Sequence, residues 1–236
     1  MSYLWCIDHD GTASKGDIGR DYLCQMLPGI DSAEDFWEEV IRIRSDADYR
    51  NEILRGDSYE EGLELAMLLA YHGVNQDIVR ESGRNARNSL RDGFSEFLKN
   101  PETGRKIMFS AGPQDWLMNF YMHNFPNINF DVVGTTLHPD ENGNYIKIKK
   151  PCGRESKPRR IEEVAQFMNG DVCKIGVGDS SGDEKMFEYV SDGGGLTIAI
   201  GDRIEGMINL PGDADWHNVV SAAREYLSLG VVAHAD

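Results

Sequence analysis

Short apolar runs of β type recur along the chain, at residues 3–7, 106–109, 130–133, 172–177 and 196–200, and most of their length is free of charge. Runs of this kind, several ending in Gly, Asp or Ser, are the pattern of parallel strands buried on both faces. Between them lie apolar residues at helical spacing. Trp116, Leu117, Phe120 and Tyr121 make one such stripe; Ile161, Val164, Ala165 and Met168 make a second; Trp216, Val219, Val220, Ala223 and Leu227 make a third. From residue 105 onward strand and helix alternate, which specifies an α/β fold with a Rossmann-like parallel sheet.

Residues 17–90 break that rhythm. They contain no convincing strand but several amphipathic stripes, with Phe36, Val40, Ile43 and Ala47 on one face and Tyr59, Leu63, Met67 and Ala70 on another. Asp57-Ser58-x-x-Glu61 and Ser32-x-x-Asp35 are helix-start signals. The chain therefore divides into a sheet core, residues 1–16 and 91–236, and an all-helical insertion, residues 17–90, read as a cap. Asn142-Gly143 marks a hairpin turn between two further β-type runs.

Charge narrows the partners. The 236 residues carry a formal charge of −16, which disfavours nucleic acid and anionic membrane surfaces. No apolar run approaches the roughly 20 residues needed to span a bilayer, and the N-terminus reaches Asp8 too early to hold a signal-peptide core. Four scattered cysteines without a C-x-x-C pair fit a reducing, cytoplasmic location. The acidic excess is concentrated in residues 31–64, with 12 acidic and 4 basic side chains. Residues 147–160 reverse it, with 7 basic and 1 acidic, and are either a solvated basic loop or a surface facing an anionic ligand.

Four segments at or just beyond strand ends carry groups suited to chemistry, and ligands of open parallel sheets bind at that edge. Asp8-His9-Asp10-Gly11-Thr12 places two carboxylates one residue apart. One can attack as a nucleophile while the other exchanges protons, or both can hold a hard divalent cation. Gly11 and Thr12 offer backbone N–H groups to an anion. His9, between the two acids, points to the opposite side and is read as packing. In Ser110-Ala111-Gly112 a hydroxyl follows a strand, fit for a phosphate oxygen. Lys157 lies before a helix, where a lone lysine is usually solvent-exposed, but here it falls inside the basic stretch. In Gly178-Asp179-Ser180-Ser181-Gly182-Asp183 two carboxylates lie one turn apart and reach a common cation. An EF-hand is excluded, because it needs Gly where Glu184 stands and Glu where Val190 stands. Zinc lacks paired Cys or His, and there is no P-loop.

Taken in order, Asp8-x-Asp10-Gly11-Thr12, Ser110, Lys157 and Gly178-Asp179-x-x-x-Asp183 resemble the four motifs of the haloacid dehalogenase superfamily of phosphohydrolases. The inserted helices and the hairpin are similar to its phosphoserine phosphatase branch. The resemblance implies an Mg²⁺-dependent phosphatase of small phosphorylated metabolites. Asp8 would form an aspartyl-phosphate, and Asp10 would serve as acid and then base. Mg²⁺ would be held by Asp8, the Asp10 carbonyl and Asp179, with Asp183 in support; Gly11, Thr12, Ser110, Ala111 and Lys157 would bind the phosphoryl group. Asp10 argues against a dehalogenase, since a halide leaves unprotonated. In the phosphoserine branch a cap carboxylate, matched by Asp17, receives the substrate amine and a cap arginine its carboxylate. Residues 61–67 contain no arginine, so neutral or amine-bearing esters are expected over carboxylated ones. Transfer to an acceptor other than water would use the same residues, whereas a non-catalytic Mg²⁺-binding interaction module would need no acid at Asp10.

Overall fold

The computed structural model describes residues 2–46, 53–54, 59–87, 89–128, 130–168 and 172–233. Seven strands form one sheet in the order β4-β3-β2-β1-β5-β6-β7. They are β1 (Ser2–Ile7), β2 (Arg105–Pro113), β3 (Asp131–Pro139), β4 (Tyr145–Lys150), β5 (Val172–Gly178), β6 (Leu196–Ile200) and β7 (Ile208–Leu210). All neighbours are parallel except β3 and β4, which form the antiparallel hairpin around Asn142-Gly143. Gly143 has φ +84°, a conformation glycine adopts at little cost.

Side chains of the central strands divide by the two-residue period of a strand. Trp5, Ile7, Met108, Ile175, Val177, Ile198 and Ile200 enter one buried cluster, while Leu4, Cys6, Ile107, Phe109 and Ala199 enter a second across the sheet. Burial on both faces explains why the strands read as continuous apolar runs rather than alternating ones.

Among the described residues the longer α-helices follow in chain order. Between β1 and β2 come α1 (Ile18–Leu23), α2 (Ala33–Ser45), α3 (Glu64–Tyr71), α4 (Gln76–Asn85) and α5 (Phe94–Lys99). Then follow α6 (Gln114–Asn124), α7 (Lys157–Ala165), α8 (Glu184–Asp192) and α9 (Trp216–Ala233). Among the described residues no helix is long and apolar enough to cross a membrane.

The helix-start signal at Ser32 is realised: its side chain accepts from the Asp35 N–H at 3.1 Å. Residues 57 and 58 of the second signal, and Ala47, lie outside the described residues. The stripe through Tyr59 and Leu63 starts too early, because α3 begins at Glu64. Every residue from Glu64 to Ala70 is buried, so that short helix has no solvent face from which a period could be read. α4 packs along α6 at a close approach: a Cβ on Gly83 would lie 2.4 Å from the Trp116 carbonyl, and Trp116 Nε1 donates to Ser82 Oγ at 3.2 Å. Phe36, Val40, Leu65 and Val79 of the inserted helices share one apolar cluster with Trp5 and Met108 of the sheet.

Candidate active site

β1 lies between β2 and β5, and Ile7 is paired with both Met108 and Val177. From β1 the chain builds β2, β3 and β4 to one side and then crosses back to β5, β6 and β7 on the other, so the C-terminal end of β1 is the switch point where a crevice opens. Asp8 continues the strand, its N–H donating to the Val177 carbonyl at 3.0 Å. The chain then turns sharply at Gly11, which has φ +77°. A Cβ there would lie 2.3 Å from Asp179 Oδ2, so only glycine lets this turn press against Asp179. Arg91 braces the turn from behind, donating to the carbonyls of Gly11 at 2.6 Å, Gly212 at 2.8 Å and Ala214 at 3.0 Å.

The other groups arrive from two more strand ends and one helix start. Ser110 lies where β2 departs from its register with β3, between Phe109 and Pro113, and its Oγ accepts the Gly112 N–H at 3.1 Å. Asp179 follows β5. Lys157 is the first residue of α7, with Pro158 in the first turn where its missing N–H costs nothing. Asp183 is held by the backbone, since its Oδ2 accepts the N–H groups of Asp179 at 3.1 Å and Ser180 at 3.5 Å.

These residues meet. Lys157 Nζ donates to Asp8 Oδ1 at 2.8 Å and to Asp183 Oδ1 at 2.5 Å, and all three side chains are buried. Asp179 accepts from Thr12 Oγ1 at 3.3 Å and from Arg203 at 2.6 Å. Burial pulls the Lys157 pKa down, but Asp183 and Asp8 more than offset it, so the ammonium is held charged. Asp8 is pushed well above the carboxylate range by burial and then by Asp183, although Lys157 opposes the shift. The two directions agree physically, because one buried ammonium is shared and negative charge is in excess. Asp179 is raised to about 6, by burial and then by Asp183.

Carboxylate oxygens of Asp8, Asp179 and Asp183 lie within 4.8 Å of one another. Three hard oxygen donors in a net-negative pocket, with the Gly11 turn cradling one of them, fit a hard divalent cation. Asp10 lies beside this group rather than in it. Its carboxylate accepts the Ile18 N–H at 2.9 Å, and burial, then Asp17 and Asp8, raise its pKa well above the usual range.

No family model matches the chain, and no curated protein matches it in sequence. Solved structures do. A phosphoserine phosphohydrolase-like protein from Francisella tularensis subsp. tularensis SCHU S4 matches with TM-score 0.65 at 18% identity, over 94% of this chain and 99% of that one. A substrate-bound phosphoserine phosphatase matches with TM-score 0.64 at 15% identity, over 94% and 98%. A cytosolic 5'-nucleotidase IIIB bound to cytidine matches with TM-score 0.60 at 17% identity, over 97% and 87%. The chain has the haloacid dehalogenase fold.

Within that fold, several expectations are refined. The Gly11 N–H is not free for an anion; it donates to the Gly16 carbonyl at 3.2 Å, so Gly11 contributes shape. Thr12 turns its hydroxyl to Asp179. Asp17 lines the chamber above Asp8, but its carboxylate caps α1 through the Arg20 N–H at 2.9 Å and pairs with Arg20 Nη1 at 3.4 Å. His9 is wholly buried, 2.7 Å from the Tyr121 hydroxyl and edge-on to Phe120, so it packs as its position implied; burial lowers its pKa to about 3. The basic stretch does not act as one surface. Lys157 alone enters the pocket, while Lys149 and Lys150 are exposed on β4 and Arg160 pairs with Glu163 at 2.8 Å.

Sequence reasoning missed Arg20, Phe36, Trp37, Leu65 and Arg203, which line the chamber. Arg203 follows β6 closely and was open to the strand-end argument; the others sit on helices whose orientation no local pattern reveals. It also missed Glu60. This buried carboxylate accepts the Ser156 N–H at 2.7 Å, next to Lys157, while the adjoining Arg154 N–H donates to the Glu61 carbonyl at 3.0 Å. Gly62 lies so close to Ala111 that a Cβ would fall 2.7 Å from the alanine Cβ. The 60–62 loop is thus clamped to the start of α7. Glu60→Ala leaves a buried N–H unpaired and is expected to cost about 1–3 kcal/mol in urea unfolding, with Glu60→Gln recovering most of it.

Proposed function

We propose that the protein is an Mg²⁺-dependent phosphomonoester hydrolase acting on a small phosphorylated metabolite through an aspartyl-phosphate on Asp8. The observation that supports this most directly is the meeting of Asp8, Lys157, Asp179 and Asp183 in one buried group at the switch point, with Asp10 two residues away. In this reading residues 1–16 and 91–236 are the catalytic core and residues 17–90 the cap, in the cytoplasm.

An oxygen of the Asp8 carboxylate attacks phosphorus and the ester P–O bond breaks. Asp10, whose surroundings favour the protonated acid, gives its proton to the leaving alkoxide. It then takes a proton from the water that attacks the phosphorus, which releases inorganic phosphate and restores Asp8. Lys157 offsets negative charge beside Asp8 throughout, and the Ser110 hydroxyl with the N–H groups of Thr12 and Ala111 receives phosphoryl oxygens. Asp8, Asp179 and Asp183, with the Asp10 carbonyl, would hold Mg²⁺, which screens the repulsion between phosphoryl oxygens and the attacking carboxylate. The clamp of Glu60 on the α7 N-terminus fixes where Lys157 begins.

The test is phosphate release from a panel of phosphate monoesters. Turnover is expected with Mg²⁺, to be lost on chelation with EDTA and to return when Mg²⁺ is restored in excess. Turnover that persists in EDTA after dialysis, or no phosphate from any ester, refutes the reading.

A further inference from the structure

The chamber above Asp8 has a volume of about 320 Å³, at the lower end of the range of small-molecule sites. Its charged groups are already committed to partners in the protein. Asp17 and Arg20 pair with each other, Glu61 accepts from Ser181 Oγ at 2.5 Å and lies 3.7 Å from Arg154, and Glu64 accepts from the Tyr59 hydroxyl. Arg203 is held by Asp179 and Lys157 by Asp8 and Asp183. A second ionic group on the substrate would compete with these pairs for the same side chains. A substrate recognised chiefly by a second charge fits such a chamber poorly.

What the chamber offers instead is apolar. Leu65 lines the chamber together with Asp10, and both side chains reach the Gly19 backbone: a Cβ placed there would lie 3.9 Å from Leu65 Cδ2 and 4.0 Å from Asp10 Oδ2. Phe36 and Trp37 complete that wall from α2, their rings edge-on at 5.2 Å and 86°. Phe36 is buried, so it fixes the neighbouring backbone, while Trp37 keeps 45% of its surface exposed. The chain has four tryptophans. The other three, Trp5, Trp116 and Trp216, are at most 3% exposed. A half-exposed indole backed by a rigid ring and opening on a reaction chamber is a stacking surface.

We infer that Trp37 and Leu65 form a subsite for a planar aromatic ring, and that the substrates are phosphomonoesters whose leaving alcohol carries such a ring, as in a nucleoside monophosphate. This rests on the hydrolase reading, but the binding it claims can be observed without turnover. The ring lies against the indole while the phosphoryl group is at Asp8; no bond to Trp37 forms or breaks.

The experiment has two arms. In the first, kcat/KM is compared for AMP and sn-glycerol 3-phosphate, which both release a primary alkoxide and so differ little in intrinsic reactivity. AMP is expected to be favoured at least about tenfold, the scale of one stacked base. Trp37→Ala is expected to bring the ratio near one, and Trp37→Phe to restore most of it. In the second arm, acrylamide quenching of tryptophan emission is measured with adenosine, which has no phosphate to lose. Because Trp37 is the exposed indole, adenosine is expected to shield it, and ribose at the same concentration is not. Phosphate release without AMP preference, or a preference that survives Trp37→Ala, overturns the subsite, as does unchanged quenching with adenosine. If no ester is hydrolysed but adenosine shields Trp37, the subsite stands and the hydrolase reading falls.

Discussion

Asp8→Asn is expected to lower phosphate release by a factor on the order of 10⁴ or more, the scale seen when a covalent nucleophile is removed. An amide is nearly isosteric with the carboxylate but has no charge to direct at phosphorus. The fold has no reason to suffer. Asp8 and Asp183 share one buried ammonium beside a third carboxylate, Asp179, and Lys157 keeps its 2.5 Å contact with Asp183 when Asp8 loses its charge. Burial already pushes Asp8 toward its neutral form, so a neutral residue there relieves repulsion rather than creating it. The variant should match or exceed the wild-type midpoint in urea, while single-turnover assays detect no phosphate burst. Near-normal turnover by a well-folded Asp8→Asn would sink the aspartyl-phosphate mechanism, whatever the metal dependence.

How much of this was legible in the sequence follows from how local each signal is. The strands were readable because burial on both faces removes polar residues from runs such as residues 172–177. Asp8 and Asp179 were readable because each follows a strand end, and Ser110 because the apolar run of β2 gives way there to small residues, although β2 itself continues to Pro113; parallel strands bring these positions to one edge. Lys157 was visible only as a lysine before a helix; nothing local says that its side chain is buried between Asp8 and Asp183, 149 and 26 residues away. β7 was missed, since three residues at a sheet border, half-exposed at Ile208 and Leu210, leave no apolar run.

The inserted helices were legible as helices and not as a binding wall. The stripe Phe36, Val40, Ile43 is buried as its spacing required, yet Trp37, one position off the stripe, lines the chamber. Helical period tells which residues face the core; it cannot say what the flanking residues face. The charge of residues 31–64 misleads for a related reason. Of its acids among the described residues, those lining the chamber are Glu61 and Glu64, and both are partnered inside the protein. Net charge thus carries little information on the field a substrate meets.

Lys157→Met is expected to have the largest effect on stability. Methionine fills a similar volume, so packing changes little, and the loss isolates the charge. Breaking a buried ion pair by removing one partner costs about 3–5 kcal/mol, because the remaining charge stays desolvated and uncompensated. Here two carboxylates lose their shared cation at once, and the third, Asp179, is held by an arginine whose side chain is 69% exposed. The variant, unfolded in urea at neutral pH without divalent ions, should lose stability on that scale, and turnover should fall with it. Adding Mg²⁺ discriminates electrostatics from a packing defect. A cation bound by the uncompensated carboxylates stabilises the folded chain in proportion to the logarithm of its concentration over its dissociation constant. The variant should therefore gain more from a given Mg²⁺ concentration than the wild type, in which Lys157 already supplies part of the positive charge. Equal gains in the two proteins, or a Lys157→Met chain as stable as wild type without metal, would mean that the three carboxylates do not behave as one electrostatic unit, and the account of the site built on their shared charge would be wrong.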